Sequence, residues 1–243
     1  MSDADENERL WSGFSVANEL NPAQRHRWRL VVSELTTLPP AATVVDLGCG
    51  SGLLLSRIAA ARPAGRLLGV DADPTALRYA AERLPSAQLV RADLDAETAE
   101  PLAEADAVVC SEVIEHLERP LHAVRLARRL LRPGGRFVVT VPAGPVTAFD
   151  RAIGHRKHFT LPAIEELLVS GGFRIVRSYY WGFPFHTLFR IGVGALPSAA
   201  GGFSDDRLGG WQRAVFRLLD ALFYLNAKSR RAGRQIVAVA EPA

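Results

Sequence analysis

The chain has 243 residues, 48% of them hydrophobic and 8% aromatic, enough to bury a substantial core, and this excludes both a disordered segment and a small disulfide-stapled scaffold. Its two cysteines, Cys49 and Cys110, stand in no metal-binding or disulfide-framework spacing. The net charge of +3 divides unevenly: residues 1–150 hold 16 Lys/Arg against 20 Asp/Glu, and residues 151–243 hold 13 against 6. A basic second half suits an anionic substrate, an acidic membrane surface or nucleic acid, and equally a plain arginine-rich solvated face. No apolar run reaches the length of a membrane span, and Met1–Arg9 is acidic and polar, unlike a secretory leader. A cytoplasmic setting is therefore expected.

In chain order, Pro22–Leu38 predicts a helix, with Asn21 as N-cap, Pro22 at the first position and Pro39-Pro40 as the stop. The β-branched run Thr43–Leu47 predicts a buried strand. Helix Gly52–Arg62, strand Arg66–Val70, helix Pro74–Leu84 capped by Asp73, and strands Gln88–Arg91 and Ala105–Cys110 follow. Helix Leu121–Leu131 ends at Pro133-Gly134-Gly135 before strand Arg136–Val141. This alternation means βαβ units and a mostly parallel sheet. Beyond Pro142, Thr160 caps a helix over Leu161–Ser170, and Phe173–Tyr180 and Gln235–Ala240 read as strands. Between those strands lies a long stretch in which Leu208, Trp211, Val215, Leu218, Leu222 and Leu225 recur at helical steps with arginines opposite. That stretch is expected to lid a site or pack on the sheet, with dimerisation or membrane-surface contact as alternatives.

The segment Val45-Asp46-Leu47-Gly48-Cys49-Gly50-Ser51-Gly52 must turn sharply from strand to helix while bringing backbone N–H groups against a ligand. Its glycines fall at alternate positions behind an aspartate. A dinucleotide fingerprint counted from Gly48 would need glycine where Leu53 stands.

This segment resembles the first motif of class I S-adenosylmethionine methyltransferases, and further motifs follow in order. Leu68-Gly69-Val70-Asp71 ends the second strand with an acid, and Val90-Arg91-Ala92-Asp93-Leu94 ends the third. Ala105–Leu117 resembles the fourth-strand motif, and Leu131–Phe137 the turn into the fifth. The resemblance implies a Rossmann-like α/β fold: a seven-stranded, mostly parallel sheet with helices on both faces and the last strand antiparallel. It implies S-adenosylmethionine as cofactor, leaving S-adenosylhomocysteine as product. Cofactor contacts are expected from Asp46, Gly48, Cys49, Gly50, Gly52, Asp71, Ala72, Asp93, Leu94, Ser111, Glu112 and Val113. Asp71 would take the ribose hydroxyls, Asp93 the adenine amino group, and Leu94 would pack on the ring.

The second half resembles a narrower bacterial group through Asp150, Gly154-His155-Arg156-Lys157-His158-Phe159-Thr160, Gly171-Gly172-Phe173 and Trp181-Gly182-Phe183-Pro184-Phe185. His155 and His158 are the candidate general bases, against the simpler role of ordering the loop. Arg156 and Lys157 could hold a carboxylate or phosphate, and Trp181 and Phe183 could wall an apolar acceptor pocket. Residues 1–40 are expected to form an N-terminal helical segment and 41–243 the methyltransferase domain, with 143–172 and 182–233 as substrate-side loop and helical insertion.

The expected activity is metal-independent methyl transfer to a small-molecule acceptor, with oxygen favoured, the acceptor being anionic or lipid-linked among the options. Nucleic acid is disfavoured: Cys110-Ser111-Glu112-Val113 stands where many base methyltransferases carry an Asn/Asp-Pro-Pro-aromatic signature. The alternatives are a cyclase or binding scaffold using the same cofactor, and a nicotinamide oxidoreductase, since fold does not settle function.

Overall fold

The computed structural model describes residue 19 and residues 21–62, 65–96, 104–194 and 210–243. Asn21 accepts a hydrogen bond from the Ala23 N–H at 2.9 Å, so α1 (Pro22–Leu35) starts where its cap and Pro22 dictate. It ends earlier than expected, in a turn in which the Leu38 N–H donates to the Leu35 carbonyl. The alternating pattern then produces β1 (Thr43–Leu47), α2 (Leu53–Ala61), β2 (Arg66–Asp71), α3 (Pro74–Arg83), β3 (Gln88–Arg91), β4 (Ala105–Ser111), α4 (Pro120–Leu130) and β5 (Leu131–Pro142). After β5 come α5 (Ala148–Ala152), α6 (Leu161–Ser170), β6 (Phe173–Phe183), α7 (Phe185–Gly194), α8 (Gly210–Phe223), β7 (Ala227–Ser229) and β8 (Gln235–Pro242).

The strands form one sheet in the order β3-β2-β1-β4-β5-β8-β6-β7. β1 pairs in parallel with β2 and β4, β2 with β3, and β4 with β5, while β8 runs antiparallel to both β5 and β6. There is one strand more than expected. The addition is β7, a three-residue edge strand antiparallel to β6, too short to show any alternation of its own.

Both faces of the sheet are covered, which is why β1 is buried along its whole length and the centre of β4 reads as an apolar run. On one face, Ala123, Val124 and Ala127 of α4 and Leu161, Ile164 and Leu168 of α6 pack over Val108, Phe137 and Val139. On the other, Trp28, Val31 and Leu35 of α1 and Leu54, Leu55 and Ile58 of α2 cover Val44, Val109 and Val138. A third cluster caps the β6 end of the sheet. There Trp181 is sandwiched between the rings of His26 and His186, each with centroids 4.7 Å away, and Phe223 of α8 closes the stack from the edge.

The helical insertion turns a different face inward from the one its spacing suggests. Val215, Leu218 and Leu225 are exposed, whereas Asp220 and Phe223 are buried. The reason is electrostatic. Arg25 and Arg29 of α1 face α8, and Asp220 meets them at 3.2 and 3.3 Å. Leu208 lies outside the described residues. Among the described residues, no helix is long and apolar enough to cross a membrane.

Candidate active site

The carboxyl ends of β1, β2, β3 and β4 converge where strand order reverses between β1 and β4, the place at which open α/β sheets take their ligands. Asp46, 2% exposed, ends β1, and the chain then turns through Gly48, Gly50 and Gly52, with φ of 75°, 53° and 75°. All three lie in the left-handed region that glycine alone enters without strain. A Cβ on Gly48 would collide with Val113, and one on Gly52 would meet the Ala80 backbone at 3.1 Å. The alternate glycine spacing thus serves both backbone conformation and close approach. The Gly48 and Cys49 N–H groups both donate to the Val70 carbonyl, at 2.7 and 3.0 Å, tying the turn to β2.

Asp71 joins two of these loops. One carboxylate oxygen accepts from the Gly50 N–H at 2.8 Å, and the other from the Asp73 N–H at 3.0 Å. Burial nonetheless raises its pKa, outweighing the hydrogen bonds that favour the charged form. Burial and the nearby Asp71 push Asp46 up to about 8, so it holds its proton near neutral pH. Ala72 and Asp93 are exposed, and Asp93 accepts from the Asp95 N–H at 2.9 Å. Leu94 is 5% exposed and belongs to the main core. Burial drives the Cys49 and Cys110 thiols upward in pKa, so neither is poised as a thiolate.

At the end of β4, Ser111 shares a 2.8 Å hydrogen bond with Thr140, and Glu112 adopts φ 57°, the one non-glycine in the left-handed region among the described residues. Three distant side chains hold its carboxylate: Arg27 of α1 at 2.7 Å, Thr140 of β5 at 3.1 Å and Gln235 of β8 at 3.1 Å. Linear reading missed these partners. The signal available was Gln235 itself, a polar residue opening the otherwise apolar run of β8.

Three histidines gather beside this turn. The His116 Nδ1 lies 3.1 Å from the Gly154 carbonyl, and the His158 Nδ1 lies 3.2 Å from the Gly144 carbonyl. A carbonyl can only accept, so both Nδ1 atoms carry hydrogen. His158 Nε2 is therefore an acceptor, and His155 Nδ1–H donates to it across 2.9 Å. The bare nitrogens left over are Nε2 of His155 and Nε2 of His116. Burial lowers the pKa of all three rings, His155 to about 4, and His116 is the next cause there. All three are neutral at neutral pH. Asp150, fully buried, lies 3.9 and 3.8 Å from His155 and His158 but spends its carboxylate on Arg190 at 2.8 Å and on the Thr147 amide and hydroxyl.

The expected acceptor-side residues divide. Trp181 is 1% exposed with both ring faces covered by histidines, so its assignment to the pocket wall is corrected: it is core. Phe183 is 53% exposed and, with Gly144, Pro145, Thr187, Gly233 and Arg234, lines a cleft of about 330 Å³ next to the His158 anchor. Arg156 is turned away, donating to the His116 carbonyl at 3.0 Å and pairing with Glu118 at 2.9 Å. Lys157 lies over the Phe159 ring. A hollow of about 400 Å³ against Trp28, Val32 and Arg57 shares no residue with these groups.

The family described as "Methyltransferase domain" matches residues 45–137, the span that holds the glycine turn, Asp71, Asp93 and the β4 turn. Residues 45–137 therefore carry a methyltransferase domain of the class I, S-adenosylmethionine-dependent kind. The cofactor of this domain is S-adenosylmethionine. Over 107 residues this chain is 39% identical to the trans-aconitate 2-methyltransferase of Azoarcus sp., covering 43% of this chain and 41% of that protein. Over 120 residues it is 35% identical to a ubiquinone biosynthesis O-methyltransferase of Xanthomonas campestris, covering 47% and 48%. In fold it is similar to the N-methyltransferase NodS of Bradyrhizobium japonicum, solved with S-adenosyl-L-homocysteine, at TM-score 0.58 and 16% identity over 91% of this chain and 88% of that one. The chain spans about a third to three-fifths of the length of the curated relatives it matches.

Proposed function

We propose that this chain transfers the methyl group of S-adenosylmethionine to a small-molecule acceptor, at oxygen, without a metal ion. The observation that carries the acceptor half is the hydrogen-bond chain from Gly144 through His158 to His155, which leaves a neutral imidazole nitrogen with a free lone pair beside the β4 turn.

The cofactor would be held by Asp46, the Gly48–Gly52 turn with Cys49, Asp71 and Ala72, Asp93 and Leu94, and Ser111, Glu112 and Val113. The fit rests on the backbone cradle that a Cβ at Gly48 or Gly52 would fill, and on Asp71, whose oxygens retain lone pairs beyond those given to Gly50 and Asp73. When bound, the cofactor supplies an electrophilic methyl group on a sulfonium with a neutral leaving group, so positioning dominates the catalysis. His155 Nε2 takes the acceptor's proton, and His158 fixes the tautomer that makes this possible. Phe183 and Pro145 offer the acceptor an apolar wall, and Arg234 in the same cleft offers an anionic group a partner.

The relatives support the small-molecule and oxygen readings, one being named for trans-aconitate and the other an O-methyltransferase. The test is formation of S-adenosylhomocysteine with a panel of hydroxylated acids and their neutral esters, with and without EDTA. Turnover that survives the chelator is expected. Turnover lost in EDTA and restored by magnesium would overturn the metal-independent reading, and transfer only to amines would overturn the oxygen assignment.

A further inference from the structure

Glu115 lies in the turn after β4 with its side chain fully buried, and neither carboxyl oxygen has a hydrogen-bond partner among the described residues. Buried polar groups are nearly always satisfied, so such a group points to something that occupies the space it faces. It faces imidazole. A Glu115 oxygen and one ring nitrogen each of His116 and His155 all lie within 4.8 Å of one another. No hydrogen bond closes the gap to Glu115, and the three atoms are near enough for small side-chain rotations to bring them onto one ion at about 2.0–2.2 Å each.

We infer that Glu115, His116 and His155 form a binding site for one divalent transition-metal ion of the zinc type. Two imidazoles and a carboxylate are the donor set of zinc and non-haem iron, whereas magnesium and calcium prefer oxygen throughout. Each imidazole is braced through its Nδ1–H, His116 by the Gly154 carbonyl and His155 by His158, as metal-bound histidines ordinarily are. The bracing leaves both Nε2 lone pairs free to bind. The His155 side chain is 8% exposed, while the half-buried His116 gives the site an edge toward solvent. The neighbouring set of Asp150, His155 and His158 is less suited, because Arg190 and Thr147 already occupy Asp150.

One consequence rests on the proposed role of His155. An ion at this site takes the lone pair that proton removal needs, so zinc inhibits transfer instead of promoting it.

The experiment is calorimetric titration of Zn²⁺ into the EDTA-stripped full chain, paralleled by visible absorption of the Co²⁺ complex, both without cofactor or acceptor. One ion per chain is expected. Glu115→Gln and His155→Gln should each weaken Zn²⁺ by about a hundredfold or more, since losing a ligand exceeds the 10–100-fold worth of a ligand's supporting hydrogen bond. His122→Gln, outside the cluster, should leave affinity unchanged. Either cluster variant reads the site, so failure of one to fold does not remove the test. Wild-type affinity no greater than that of both cluster variants overturns the site. Turnover is then assayed with S-adenosylmethionine and acceptor at saturating Zn²⁺: inhibition is expected, and binding with undiminished turnover keeps the site and overturns the assignment of His155 as base.

Discussion

Asp71 ties the glycine turn to the loop after β2, and the same carboxylate is assigned the cofactor ribose. Asp71→Ala should weaken S-adenosylmethionine binding by about 2–4 kcal/mol, two hydrogen bonds to a charged group with partial compensation by water. Calorimetry decides it, and Asp93→Ala should cost less, because the adenine also gains apolar contact. Histidines supply the second residue-scale prediction. His155→Ala should lower turnover by about 10²–10⁴ with cofactor affinity nearly unchanged. His158→Ala should lower turnover less, since the proposed mechanism gives it only the orienting of His155. A fall in melting temperature with turnover per folded molecule intact would instead mean that the pair merely orders its loop. The position of Asp71 beside the glycine turn was legible because an acid at a strand's carboxyl end faces the crevice. The Gly144–His158–His155 relay was not, since its direction depends on which backbone carbonyls the fold brings up.

At the scale of elements, α8 shows how charge overrides hydrophobic spacing. Phe223 is its one wholly buried apolar side chain among those described, worth about 1.5–3 kcal/mol, so docking on α1 leans heavily on Asp220. Asp220→Asn should destabilise that contact by about 1.5–3 kcal/mol, the worth of hydrogen bonds to a charged group. Hydrogen exchange should report it as faster opening of α8 with the central strands unchanged. The apolar row at Val215, Leu218 and Leu225 was visible in the sequence. Its outward orientation was not, because the arginines that dictate it sit on a helix almost two hundred positions away.

For the whole molecule, the stack of His26, Trp181 and His186 predicts an acid limb of stability. Burial, then Arg29, lowers His26 to about 4, and burial, then Arg190, lowers His186 well below its ordinary value. As pH falls below about 6.5 the unfolded chain takes up these protons while the folded chain does not. Stability present above that pH is therefore lost as pH falls toward 4. His26→Phe preserves a ring on Trp181 and should flatten the slope by up to about 1.4 kcal/mol per pH unit. Denaturant titrations at pH 7 and pH 5 measure the difference. Equal slopes in variant and wild type would place the acid sensitivity elsewhere.

The sequence alone determined the parallel core of the sheet, the three left-handed glycines and the order of acids along the strand ends. Each of these is a local consequence of hydrophobic period, turn chemistry and strand direction, so a short window contains all the information. Tertiary structure decided what long-range approach creates: the three holders of Glu112, the removal of Trp181 from the pocket wall, and the meeting of Glu115 and His116 with His155. No linear spacing announces such groupings, because their members lie on helices, strands and loops that are far apart in sequence and meet only in the fold, where burial leaves Glu115 without a hydrogen-bond partner among the described residues.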